Sequence, residues 1–218
     1  MISDFEVAVP IMTQTHLLTR RRLIGTAALA VVLANLPRFA WAQSASDQAL
    51  AFIDKTSQEL SGAVNGNGST KDKATALQAI IDRSVDVSSV GRFCLGRFWR
   101  LATPAEQAEY IELFHRVLVQ NITGKVGEYQ GVSIVAVRTA QREDGVAVTT
   151  TVTRPNSAPN RVDWLVNTET GAPKIVDVIA EGTSLRLTQR NDYAAFLSRN
   201  NNSVPALIVA LKQQVSGP

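Results

Sequence analysis

The sequence is poor in the residues that most chemistry needs. Among 218 residues there is one cysteine, Cys94, and two histidines, His16 and His115. A lone thiol closes no intramolecular disulfide, and one thiol with one or two imidazoles cannot assemble a zinc site. The H-E-x-x-H, C-x-x-C and D-x-D-x-D-G spacings are all missing, so no metal site is expected. No glycine-rich phosphate loop occurs, which removes the argument for nucleotide binding, and no serine stands in G-x-S-x-G. Aromatics make up only 6% of the chain. The part after residue 42 shows no Lys/Arg cluster interleaved with aromatics, and no nucleic-acid partner is expected. Cys94, set among Phe93, Leu95 and Phe98, reads as a small buried hydrophobe, with a reactive or intermolecular thiol as the other reading.

Long hydrophobic runs are also lacking. The one apolar run of note, Thr26 to Leu36, is too short to span a bilayer. It follows Thr19-Arg20-Arg21-Arg22-Leu23-Ile24 and precedes Ala40-Trp41-Ala42, a small-x-small site. That order predicts a signal peptide over 1–42, of twin-arginine type, cleaved before Gln43. An uncleaved membrane tether is the alternative. Removing 1–42 takes four arginines and two acids away. Of 22 basic and 19 acidic residues, 18 and 17 then remain, so the basic balance of the whole chain belongs partly to the targeting segment.

What is present is patterning. Phe93 to Ile122 couples a short aromatic-rich stretch to a long amphipathic helix. Thr103 is its N-cap, Pro104 takes the first helical position, and Glu106 completes a capping box. Tyr110, Phe114, Val117 or Leu118, and Ile122 recur on one face. Before it, helices are predicted over 45–60, ending at Gly62, over 71–84, and from Asp86 to Trp99. After Gly127 the apolar period changes from 3.6 to 2. Strands are predicted around Val132–Val137, Val146–Val152, Val162–Val166 and Lys174–Ala180, in a four-stranded antiparallel meander turned at Asp144-Gly145 and Thr170-Gly171. Glu181 to Ser184 is read as leaving the sheet and starting a helix carrying Leu185, Leu187, Tyr193, Phe196 and Leu197. A last helix runs from Val204 to Val215. This order gives an α+β class, with 43–218 as one domain.

The carboxylates Asp163, Asp177 and Glu181 lie on or beside strands, where pairing with Arg161, Arg186 or Arg190 is the plain reading. Were Asp163 or Asp177 to point into an apolar cavity, a raised pKa would suit acid–base catalysis. A module that binds a protein partner without any cavity is a third reading.

Several motifs taken together carry a resemblance. They are Val85-Asp86 to Arg92; Leu95-Gly96-x-x-Trp99-Arg100-x-Ala102-Thr103-Pro104; Tyr129-x-Gly131; Val162-Asp163-Trp164; Asp177-Val178-x-x-Glu181-Gly182-x-Ser184-Leu185; and Phe196-Leu197. In that order, over nearly all of 43–218, the chain resembles the MlaC family of periplasmic phospholipid shuttles, also called toluene-tolerance proteins, which includes a hopanoid-associated branch. It departs from the family at Gly171-Ala172-Pro173-Lys174, where a Gly-Trp-Lys turn is usual, and at Thr183.

The resemblance implies an α+β fold, with a four-stranded antiparallel sheet like that of nuclear transport factor 2, whose helices and sheet enclose an apolar lipid cavity. It implies no catalytic residues and no cofactor, the bound lipid being cargo. Implied partners are a phospholipid or hopanoid-type lipid, an inner-membrane lipid-binding ABC-transporter complex, and an outer-membrane lipoprotein/porin complex that maintains lipid asymmetry. Such a carrier is needed because each methylene taken from a membrane into water costs roughly 0.8 kcal/mol, on the order of 20 kcal/mol for a two-chain lipid. The wall residues expected on this basis are Trp99, Tyr110, Phe114, Leu118 and Ile122 from helices, and Val132, Ile134, Val148, Val162, Trp164, Val176 and Val178 from strands. Tyr110, Phe114 and Leu118 are expected to look into a space filled by lipid tails.

Overall fold

A computed structural model describes residues 36–217, with side chains from Ser44 onward. The predicted signal peptide lies mostly outside the described residues, and its cleavage site falls where only the backbone is described. From Trp41 the chain forms one compact unit.

Helix α1 spans Leu36–Asn65. It runs past Gly62, where the sequence suggested an end, because one glycine weakens a helix by only about 1 kcal/mol. It stops where Gly66-Asn67-Gly68 follows, with the Gly66 N–H donating to the Gly62 carbonyl at 3.0 Å. Helix α2, Thr70–Ser84, opens on a reciprocal capping box between Ser69 and Asp72. The two hydrogen bonds from Ser69 hold the Asp72 carboxyl below its usual pKa.

Asp86 caps α3, Val87–Leu95. The predicted single helix to Trp99 breaks at Gly96, whose φ of +59° places it in the left-handed region; a 3₁₀ turn then covers Gly96–Arg100. Any side chain is strained at that φ, and a Cβ there would also lie 3.1 Å from Arg190 Nε. The predicted capping box of Thr103 and Glu106 is present at the start of α4, Pro104–Thr123.

The strands are β1 (Ser133–Arg142), β2 (Gly145–Thr153), β3 (Asn160–Asn167), β4 (Lys174–Ala180) and β5 (Thr183–Ser184). They form one antiparallel sheet in chain order. The fifth strand differs from the expected four. Glu181 (φ +51°) and Gly182 (φ +80°) make a two-residue hairpin, so Thr183 and Ser184 pair back onto Ala180 and Ile179 before α5 begins. Two bulges bend the sheet, with Val137 as the extra residue on β1 and Val176 on β4.

Helices α5, Leu185–Arg199, and α6, Val204–Ser216, complete the chain. On α5 the buried residues are Tyr193 and Leu197, while Leu185 and Leu187 are 52% and 48% exposed. The predicted apolar role of those two leucines is therefore corrected: Arg186 and Arg190 continue the stripe of Tyr193 and Leu197, and their guanidinium groups lie 4.4 and 4.9 Å from the Phe93 ring centroid on α3.

Candidate functional site

Register divides the sheet into two faces. Val146, Val148 and Thr150 on β2 stand opposite Val166, Trp164 and Val162 on β3, and Trp164 and Val162 in turn stand opposite Val178 and Ala180 on β4. This face meets α1. Ala49 and Ile53 of α1 pack with Val146, Val148, Val166 and Ile175, and with Phe52, Trp164 and Val178 at the margin. Toward the end of α1, Val64, Leu60 and Ala63 continue the layer with Leu77, Val126, Val132, Ile134 and Val152. The result is a seam of aliphatic side chains.

Polar contacts hold the seam at its two ends. Gln141 Nε2 donates to Ser46 Oγ at 3.0 Å near one end. At the other, Asn65 Nδ2 donates to the Val132 carbonyl at 2.9 Å, and its Oδ1 accepts from the Gly131 N–H at 2.6 Å. The helix between Ser46 and Asn65 is about 28 Å long at the usual rise per residue. Within the seam, Trp164 Nε1 donates to Thr150 Oγ1 at 2.9 Å, and that hydroxyl donates to the Val162 carbonyl at 3.2 Å. Two polar groups in an apolar layer thus satisfy each other.

The expected wall residues separate into two groups. Val148, Trp164 and Val178 pack in the seam against α1, and Val132 and Ile134 join its extension. Val162 shares their face by register and is half-buried. Val176, the bulge residue of β4, is buried outside these clusters. The helical residues lie elsewhere. Tyr110 and Phe114 belong to a core made by α3, α4, α5 and α6, with Trp99 partly buried against it. Leu118 and Ile122 are half-buried farther along α4.

In place of the space expected beside Tyr110 and Phe114 there is packed protein. Tyr110 is fully buried, and its hydroxyl donates to the Gly91 carbonyl at 2.9 Å. Its ring centroid is 5.9 Å from Phe114 and 6.1 Å from Tyr193, the latter edge-on. A Cβ at Gly91 would come within 2.8 Å of Ile111 Cδ1 and 3.1 Å of Phe114 Cδ1, so α3 and α4 already touch. Burial raises the pKa of the Tyr110 and Tyr193 phenols and pushes the Cys94 thiol up to about 12, helped in the last case by the nearby Asp177 charge. Cys94 is a free, buried thiol.

The sheet carboxylates face away from the seam. Asp163 stands opposite Thr149 and Asp177 opposite Leu165, both on the other face by register. Asp163 accepts from the Thr149 hydroxyl at 2.6 Å. Asp177 is buried and fully engaged: it accepts from the Val178 N–H at 2.8 Å, Ser184 Oγ at 2.6 Å and the Arg186 N–H at 3.1 Å, and pairs with Arg186 Nε at 3.4 Å. Arg186 also pairs with Asp144 in the β1–β2 turn. Glu181 is exposed in its hairpin.

Two surface clefts are more polar than the seam. One, of about 560 Å³, is lined by residues including Asp82, Asp86, Glu112, His115, Ala172 and Lys174. There His115 Nε2 lies 2.7 Å from Asp82 Oδ1. The other, of about 460 Å³, lies between α5 and α6 and is lined by residues including Asp192, Tyr193, Phe196 and Arg199. Neither is lined by an expected wall residue. Among the described residues no group of His, Cys, Asp and Glu is placed to hold a metal ion, and no helix is long and apolar enough to cross a membrane.

Alternation grouped Val148, Trp164 and Val178, which the fold packs against α1, while the helix they meet was not among the expected walls. Ala49, Phe52, Ile53 and Leu60 were legible as the apolar face of a helix, yet nothing local says which surface such a face covers.

A helix laid over one face of a bulged antiparallel sheet, with a mostly aliphatic seam between them, defines an α+β fold. Residues 43–213 match the MlaC protein family, and the chain belongs to that family. Its fold is similar to that of a phospholipid-binding protein from Ralstonia solanacearum, solved in complex with a phospholipid. The two are 21% identical, with a TM-score of 0.67 over 77% of this chain and 97% of that one.

Proposed function

We propose that this chain is a periplasmic lipid carrier, the soluble component of an ABC-transporter system that moves phospholipid between outer and inner membranes. Export by the twin-arginine-type signal over 1–42 belongs to this reading. The cargo's acyl chains lie in the seam between α1 and the sheet, with the headgroup at one of its ends. The observation that carries the reading is the chemistry of the seam: both walls are aliphatic, and Asp163 and Asp177 are turned to the opposite face. Membership of the MlaC family and the phospholipid held by the Ralstonia solanacearum protein support it.

Lipid enters a seam of this kind by replacing helix–sheet contacts with helix–lipid and sheet–lipid contacts. Methylene for methyl, the exchange is close to neutral in apolar area, so the work of opening is offset as the chain slides in. The acid–base alternative requires a carboxylate facing the apolar layer, and Asp163 and Asp177 do not meet that requirement. A hopanoid cargo suits the same walls, and the extracted lipid separates it from phospholipid. Native mass spectrometry and solvent extraction of the purified protein test the proposal, together with uptake of labelled phospholipid from vesicles. A stoichiometric lipid lost in Val148→Asp is expected; protein that carries no lipid and takes up none from vesicles would sink the carrier reading.

A further inference from the structure

Beyond the seam, the stretch at the end of α3 and the 3₁₀ turn carries side-chain charge of one sign, positive. From Val87 to Ala105 the chain has Arg92, Arg97 and Arg100 and no acidic residue. All three arginines are exposed, and among the described residues none of them forms an ion pair. Aromatic rings of the same stretch hold two of them instead: Arg92 lies 5.6 Å from the Trp99 ring centroid and Arg97 4.8 Å from that of Phe98.

Arg190 adds a fourth charge beside Gly96, against Phe93. Carboxylates around the stretch have partners of their own: Asp86, next to Val87, accepts from the Ser89 N–H at 2.9 Å. Glu106 accepts from the Thr103 N–H and hydroxyl in the capping box, while Asp144 and Asp177 serve Arg186. Next to this charge stands Leu101, at 69% exposure the most exposed large aliphatic residue among the described residues. Contrary to the expectation from sequence, Arg92 to Leu101 is a basic cluster interleaved with aromatics.

We propose that the surface of Arg92, Arg97, Arg100 and Leu101 docks the protein on an anionic lipid bilayer. Exposed guanidinium groups at a Trp-bearing turn, with an aliphatic side chain projecting beside them, match a layer of phosphate headgroups over acyl chains. Arg97 and Arg100, three residues apart on the 3₁₀ turn, share one side of it, and Arg92 reaches the ring of Trp99 beside Arg100. The inference rests on the carrier reading only for why the protein meets a membrane; the charge argument stands apart from any cargo.

The test is co-sedimentation of the protein with vesicles of phosphatidylcholine alone and of phosphatidylcholine containing phosphatidylglycerol, at low and high salt. Every variant carries the same N-terminus as the parent chain, so basic residues there cancel. Binding to the anionic vesicles only, lost at high salt, is expected. Arg92→Gln/Arg97→Gln/Arg100→Gln weakens it by about a hundred-fold, on the order of five-fold for each charge. The corresponding triple lysine variant retains it, and Leu101→Ser weakens it a few-fold. If the triple glutamine variant does not fold, the single Arg97→Glu, on an exposed side chain, serves with an expected loss of about ten-fold or more.

Equal binding by parent and glutamine variants overturns the proposal, as does equal binding to neutral and anionic vesicles. Loss of association with an acidic membrane protein, without any change on protein-free vesicles, overturns it as well and assigns the patch to a protein partner. Lipid extracted from the same preparations reports separately on the carrier reading.

Discussion

Two apolar regions of this molecule are made of different side chains, and the difference indicates which can exchange its contacts for a lipid's. The helical core is aromatic and fixed. Tyr110, Phe114 and Tyr193 meet at ring centroid distances of 5.9 to 6.5 Å, and the Tyr110 hydroxyl is bound to the Gly91 carbonyl. Rings tilted and edge-on around a buried hydrogen bond have few equivalent arrangements. The seam between α1 and the sheet is mostly valine, isoleucine and alanine, with polar contacts at its ends. Aliphatic surfaces have no preferred orientation toward one another, which is what the proposed exchange of wall contacts for an acyl chain requires.

The sharpest way to break this comparison is to damage the core and look for an effect on cargo. Tyr110→Ala removes a fully buried ring and leaves the Gly91 carbonyl without its donor. A loss of about 3–5 kcal/mol in unfolding free energy is expected from urea titration. Lipid per folded molecule stays at the parent level. A proportional loss of lipid would place the cargo in the helical core and reverse the roles of the two regions.

Ile53→Ala sharpens the same comparison from the other side. Ile53 is 1% exposed and packs where α1 crosses the sheet. In lipid-free protein the truncation costs about 2–4 kcal/mol. Loaded protein loses less, because the chain fills the space the side chain leaves, and the rise in Tm on lipid addition becomes larger than in the parent. Identical losses with and without lipid would remove Ile53 from the cargo's path.

These residues also mark what was legible in the sequence. Signals carried by a few adjacent residues were readable: the Thr103–Glu106 box, the Asp144-Gly145 turn and the alternation that put Val148 and Trp164 on one face. Some local strengths were misjudged. Gly62 was too weak a breaker to stop α1, and Glu181-Gly182 made a hairpin rather than an exit from the sheet. The pairing of surfaces was not legible at all. Tyr110 and Phe114 have an apolar stripe as good as that of Ala49 and Ile53, and only the tertiary fold decides that the first meets α5 while the second meets the sheet. Leu185 and Leu187 failed for the same reason, since Phe93 on α3 offers its face to Arg186 and Arg190.

The smallest expected effect separates the regions by pH. The helical core holds Cys94, its thiol pushed up to about 12 by burial first and by the Asp177 charge second. In the unfolded chain the same thiol titrates near 9.0. The folded state therefore binds the proton more tightly, and its contribution is complete below pH 9. Between pH 9 and 12 the unfolded state ionises while the folded state does not, so stability falls with rising pH, by on the order of 1 kcal/mol at pH 10. The phenols of Tyr110 and Tyr193, also raised by burial, add to the decline at higher pH. Unfolding free energies of the parent and of Cys94→Ala, measured at pH 8 and pH 10, isolate the thiol's share: the parent loses more than the variant. The seam packs aliphatic side chains and the Trp164 indole around Thr150, none of which titrates in this range, and burial raises the pKa of the Tyr129 phenol packed against its extension, so lipid retention by protein that is still folded stays level up to pH 10. A release of lipid that tracks the ionisation of Cys94 would couple the two regions and erase the distinction between them.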